Sequence, residues 1–201
     1  MKFIIEITKN LLSSIYRDLG AALIISVLFM AVKMYSDKIG WKNVWKEWII
    51  SFKGNLNFRK QFFYSAYIAI MLLRTLLCRS IYTAHPLSSI IGVWGIYNSK
   101  GEFSFDSIEN IILFIPYTLF GFIVVPQLTY VKGTISTYFG HIHLLSRAVF
   151  FSLTFSILIE SIQLFLKIGT FQLSDLVFNA LGGAIGGVLY CCYLSLKMKN
   201  K

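Results

Sequence analysis

Charge is scarce in this chain: Asp, Glu, Lys and Arg make up 14% of its 201 residues, against roughly a quarter in ordinary soluble domains. So few charges cannot cover a water-facing surface, and a soluble globular fold is excluded. Acidic residues are scarcest, 9 against 19 basic ones, which leaves a formal net charge of +10. Cysteine is too sparse for a disulfide framework: Cys78, Cys191 and Cys192 all fall in apolar stretches, and the last two, as sequence neighbours, project in different directions from a helix. Repeats, Gly/Ser linkers and low-complexity segments are absent too, so no separate soluble domain is expected. No nucleophile motif, phosphate loop or zinc-ligand cluster occurs, and His141 and His143 stand away from the carboxylates. No cofactor and no metal is expected.

What the chain has in abundance is apolar residue, 56% of the total. It arrives in long blocks separated by short polar stretches, the pattern of an all-α integral membrane protein threading a bilayer repeatedly. The basic residues flank those blocks, where they act as topology signals and contacts for anionic lipid, so nucleic acid is not an expected partner. Five crossings are expected, at 19–32, 62–81, 108–125, 144–166 and 173–196, each near the ~20 residues one crossing needs except the short first. Ahead of the first, Ile4, Ile7, Leu11 and Ile15 recur at helical spacing and predict an amphipathic interfacial helix. Lys2, Lys9 and Arg17 before the run 19–32 mimic a signal peptide, but Lys33, Met34 and Tyr35 follow it instead of a small-residue cleavage site, so it reads as an anchor. Trp41, Trp45 and Trp48, interleaved with lysines, predict a second interfacial helix. Residues 1–61 thus form an N-terminal anchor region with a basic loop, and 62–201 a four-helix membrane domain.

Seven Lys and Arg residues between 33 and 60 place that loop in the cytoplasm by the positive-inside bias. The N-terminus then faces outward. The stretch with Lys132 and Arg147 and the tail with Lys197, Lys199 and Lys201 fall on the cytoplasmic side, and the loops 82–107 and 167–172 on the outside.

Polar groups inside the spans are the candidate site, because a charge near the bilayer centre costs on the order of 2.5 to 3.5 kcal/mol and marks a pair or a cavity. On the fourth span, Ser152, Ser156, Glu160, Gln163 and Lys167 fall three or four apart, along one helix face. On the fifth, Asp175, Asn179, Gly182 and Gly186 form a second stripe. The short connection between the spans makes an antiparallel hairpin and brings Glu160 and Gln163 near Asp175 and Asn179. These groups lie roughly 9 Å below the outer edge at ~1.5 Å per residue. Arg74, Arg79 and Asn110 share that leaflet and are expected partners. A purely structural role, Arg74 neutralising Glu160 or Asp175, weighs against a binding role. The glycine pairs Gly182/Gly186 and Gly183/Gly187 have the spacing that lets a neighbouring helix approach closely.

The run from Ser152 through Glu160 and Gln163 to Phe165, followed by Gly169 through Asp175 and Asn179 to Gly182, Gly183 and Gly186, resembles the signature of the VanZ-like membrane protein family. Glu109-Asn110 leading to Phe114-Ile115-Pro116, and Leu73-Arg74-Thr75 with Arg79, resemble its upstream segments. The likeness covers roughly residues 70 to 190. Two features differ: Ser174 precedes Asp175 where the family often has an acidic pair, and Pro116-Tyr-Thr-Leu-Phe-Gly121 replaces Pro-Phe-Gly. The resemblance implies a bacterial cell-membrane protein of a kind associated with resistance to the lipid-tailed glycopeptide teicoplanin.

Three functions are compatible with these residues. The first is a non-enzymatic protein whose outward polar pocket binds an envelope-lipid headgroup, a lipid-linked wall precursor or an amphiphilic glycopeptide antibiotic. The second is a membrane-embedded hydrolase or transferase with Glu160 as base and Asp175 as acid. The third is a small transporter or flippase, weakened by the few helices and the lack of an inverted repeat. The missing second acid beside Asp175 argues against catalysis, so binding is the leading expectation.

Overall fold

A computed structural model describes residues 2–37, 40–77, 90–91, 94, 106–129 and 138–199. Every regular element among them is helical. Four helical stretches are long and apolar enough to cross a bilayer, at Tyr16–Ser36, Ser107–Val124, Gly140–Leu166 and Leu173–Lys197. The protein is an all-α, multi-pass membrane protein. The chain divides into two units, Met1–Leu77 and Cys78–Lys201.

In the first unit, helix α1 (Lys2–Ser36) is continuous. The expected interfacial helix and first span are one rod, because no proline interrupts the run and its single glycine, Gly20, is tolerated at modest cost. Gly40, at φ 76, lets the chain reverse into helix α2 (Trp41–Gly54) in a backbone conformation that other residues rarely adopt. Val44 of α2 is fully buried against Ala31 and Met34 of α1. Trp48 stacks on Phe52 at 5.1 Å and meets Phe58 and Phe62 edge-on. Asn55 caps helix α3 (Leu56–Leu72), its side-chain oxygen accepting from the amides of Asn57 and Phe58. That satisfies two of the orphan donors at the helix start. Ala22 of α1 packs on Ala69 and Ile70 of α3, and the Ser26 hydroxyl donates to the Phe62 carbonyl at 2.8 Å. Small residues and an interhelical hydroxyl are what hold apolar helices together where lipid competes equally for their side chains. The expected crossing at 62–81 falls on α3, on a π-helical turn at Leu73–Leu77, and on residues 78–81, outside the described residues.

The second unit is built from helix α4 (Asp106–Val124), a short 3-10 turn (Pro126–Thr129), helix α5 (Tyr138–Leu166) and helix α6 (Leu173–Lys199). Pro116 lies inside α4, where its ring lacks the amide that would bond the Ile112 carbonyl. Tyr117 of α4 stacks on Phe151 and Phe155 of α5, with centroids 4.6 Å apart in both pairs. Phe122, Leu144, Ala148 and Tyr190 close the core at the far end. On the outer faces Phe150 is 72% and Phe165 86% exposed, surfaces that only hydrocarbon accommodates at this density.

Candidate polar seam between helices α4, α5 and α6

Helix α5 ends in a left-handed cap. Lys167 takes φ 55, its amide donates to the Leu164 carbonyl at 3.3 Å, and the Ile168 amide donates to the Gln163 carbonyl at 3.1 Å. This bond pair is the Schellman arrangement, with lysine where glycine is usual. It turns the chain sharply enough for α6 to begin six residues later and run back along α5.

The register of that hairpin follows from three contacts. The Asn179 side-chain amide donates to the Ser156 hydroxyl at 2.7 Å. One turn on, a Cβ on Gly183 would lie 2.5 Å from the Ser152 Cβ. Another turn on, a Cβ on Gly187 would lie 2.6 Å from that of Ala148. Each step of four along α6 is a step of four back along α5, and the same step taken the other way sets Asp175 level with Glu160.

Helix α4 meets the other glycines. A Cβ on Gly182 would crowd the Ile111 carbonyl and the Phe114 side chain, and one on Gly186 would lie 2.6 Å from the Ile115 carbonyl. The two interlaced glycine pairs thus serve two helices, Gly182/Gly186 facing α4 and Gly183/Gly187 facing α5. Thr118 of α4 and Ser152 of α5 share a buried hydroxyl bond of 2.8 Å beside this contact. Polar groups therefore run along the line where the three helices meet.

At the hairpin end the seam widens into a cluster. Glu160, Gln163, Ser174, Asp175 and Asn179 are all buried, none more than 9% exposed. A Glu160 carboxylate oxygen accepts from the Gln172 amide at 2.9 Å, tying the connecting loop to α5. The Gln172 side chain donates to Thr170 at 2.9 Å. Asp175 lies in the first turn of α6, where the positive end of the helix dipole favours a carboxylate. The Ser174 hydroxyl and the Asn179 carbonyl oxygen are buried with no hydrogen-bond partner. The Leu173 amide donates to the Ile90 carbonyl at 2.9 Å, and the Trp94 ring lies 6.4 Å from that of Phe178. The described part of the 82–107 loop therefore sits over the start of α6, beside the cluster.

Of the residues singled out from sequence, Glu160, Gln163, Asp175 and Asn179 lie together. Asn110 is half-buried on α4, next to Ile111, whose carbonyl faces Gly182. Arg74 belongs to the first unit, on the π-helical turn, half-buried. Arg79 lies outside the described residues. Sequence reasoning missed Thr118, Thr170 and the Gln172 backbone amide. Thr118 has no polar neighbour at helical spacing to mark it, and a backbone donor has no sequence signature.

Fold and seam together define a class: a multi-pass helical membrane protein whose buried polar groups gather at one end of a three-helix unit. The chain belongs to the VanZ/LLP1 family, whose model matches residues 21–194. That stretch reaches well back into α1, beyond the segment whose residues carry the resemblance. No curated protein and no solved structure matches the chain.

Proposed function

We propose that the cluster at the hairpin end of α5 and α6 is a binding site, open to the outer face of the cell membrane, for the headgroup of an envelope lipid, a lipid-linked wall precursor or an amphiphilic glycopeptide of the teicoplanin type. The observation that carries this reading is the pair of buried polar atoms left without a partner, Ser174 Oγ and Asn179 Oδ1, both on α6, with the buried Glu160 carboxylate on the facing helix α5. A buried polar atom without a partner costs about 1 to 3 kcal/mol, so a stable helix pair tolerates it where something else supplies the bond. Glu160 and Asn179 Oδ1 are acceptors, and the Ser174 hydroxyl can act either way. Such a set favours a ligand rich in N–H and O–H donors, which sugar hydroxyls and amines provide. The outward orientation rests on the lysines clustered between 33 and 60 and at the end of α6.

Binding of radiolabelled teicoplanin, and separately of a lipid-linked wall precursor, to the purified protein in nanodiscs tests the reading. Ser174→Ala removes no hydrogen bond within the protein and is expected to weaken binding by roughly two- to tenfold, the worth of one hydrogen bond. Glu160→Gln, which keeps an acceptor and loses the charge, is expected to weaken it by tenfold or more. Undiminished binding of both probes by both variants would refute the assignment. Chemical conversion of the precursor, lost in Glu160→Gln and Asp175→Asn alike, would replace it with catalysis.

A further inference from the structure

A cleft opens at the opposite end of the α5–α6 pair, where α5 begins and α6 finishes. It holds about 620 Å³ and is lined by His141, Leu145, Val188, Cys191, Ser195 and Leu196 among others. That volume lies within the roughly 300–1,000 Å³ of clefts that hold small ligands. Its walls are mostly apolar and exposed: Leu145 is 37% and Leu196 64% exposed. At its polar edge, His141 Nε2 is buried with no hydrogen-bond partner.

Near this end the described stretches of α5 and α6 carry charge of one sign. No acidic residue occurs between 138 and 159 or between 176 and 199, whereas Arg147, Lys197 and Lys199 fall there. Arg147 donates to the Leu128 carbonyl at 3.3 Å. Helix α6 continues through the exposed Lys197 to Lys199. Apolar walls meeting a cationic rim at a helix end are the chemistry of an acidic phospholipid, with the chain in the groove and the phosphate at the basic end.

The geometry points to a structural binding site for an anionic glycerophospholipid in this cleft, its acyl chain along Leu145, Val188 and Leu196 and its phosphate beside His141 at the lysine-bearing end of α6. The site is separate from the hairpin-end cluster and takes the opposite chemistry: acceptors gather at one end, cations and an unpartnered imidazole at the other. Its occupant fills a gap between two helices that no side chain among the described residues closes.

Native mass spectrometry of the detergent-purified full chain tests this, titrated with phosphatidylglycerol and with phosphatidylcholine of the same acyl chains. The expected result is a single tight phosphatidylglycerol adduct that phosphatidylcholine does not match. Leu145→Trp, which fills the groove, is expected to abolish that preference. His141→Ala, and separately the pair Lys197→Gln with Lys199→Gln, leave the groove open and are each expected to weaken the adduct by about fivefold or more. Glu160→Ala is expected to leave it unchanged. Equal binding of the two lipids, or a phosphatidylglycerol adduct unaffected by Leu145→Trp and by His141→Ala, would overturn the proposal. So would loss of the adduct in Glu160→Ala alone, which would move the lipid to the hairpin end.

Discussion

Glu160 shows how one buried carboxylate can hold a loop and serve a ligand. Its bond from the Gln172 amide fixes the connection between α5 and α6. Glu160→Ala leaves that amide without its carboxylate acceptor, and a loss of about 1 to 3 kcal/mol is expected; Glu160→Gln keeps an acceptor and is expected to lose less than half of it, both read by reversible unfolding in mixed micelles. Lys167 works in the other direction. Its φ of 55 costs a side-chain-bearing residue about 1 to 2 kcal/mol in the left-handed region. Lys167→Gly is therefore expected to raise the unfolding midpoint without altering the hairpin. Asn179 and Ser156 are each legible in the sequence as polar positions on helical stripes, and Glu160 and Asp175 likewise. Their pairing is not: it depends on the register between two helices, which four-residue periodicity leaves free to slide by whole turns.

Within the second unit, α6 is the helix that α4 and α5 pack around. Its four glycines, in adjacent positions on the helix, present two faces of bare backbone, one to α4 and one to α5. In a bilayer such contacts come from close packing rather than from expelling water, so methyl groups at these positions separate the helices. Gly183→Ala, which would press on Ser152 and the Ala148 carbonyl, is expected to destabilise the protein by about 1 to 3 kcal/mol. Gly20→Ala, with nothing within 4 Å of the added carbon, is expected to be neutral or slightly stabilising. Comparing the two in the same denaturation assay separates packing from helix propensity. The small-residue spacing is visible in the sequence; that the interlaced pairs divide between two helices is not, because the α4 residues they meet, Ile111 and Ile115, lie far back in the chain and no local pattern records which face α4 covers.

For the molecule as a whole, the polar cluster and the basic cleft lie at opposite ends of the α5–α6 hairpin, one in each leaflet if the lysine distribution sets the orientation. Topology is therefore the prediction with the widest consequence. In a variant with Cys78, Cys191 and Cys192 replaced by serine, Lys167→Cys is expected to react with a membrane-impermeant maleimide on intact cells. Lys199→Cys in the same background is expected to react only after permeabilisation. The reverse pattern would place the cluster on the cytoplasmic side and remove the ground for recognition of an extracellular glycopeptide.

The sequence by itself determined the solvent of this protein, its helical class, the approximate positions of its spans and the residue types at its candidate site. Those properties follow from local composition: long apolar runs, few charges, and polar or small residues recurring every three or four positions. Tertiary structure alone decided that Asn179 bonds Ser156, that Thr118 joins Ser152, and that Glu160 is held by a backbone amide of the loop. It also decided that Ser174 and one oxygen of Asn179 are left without a protein partner. Satisfaction of a buried polar group depends on the distance and angle to atoms on other helices, and those are set only once side chains interlock at one register.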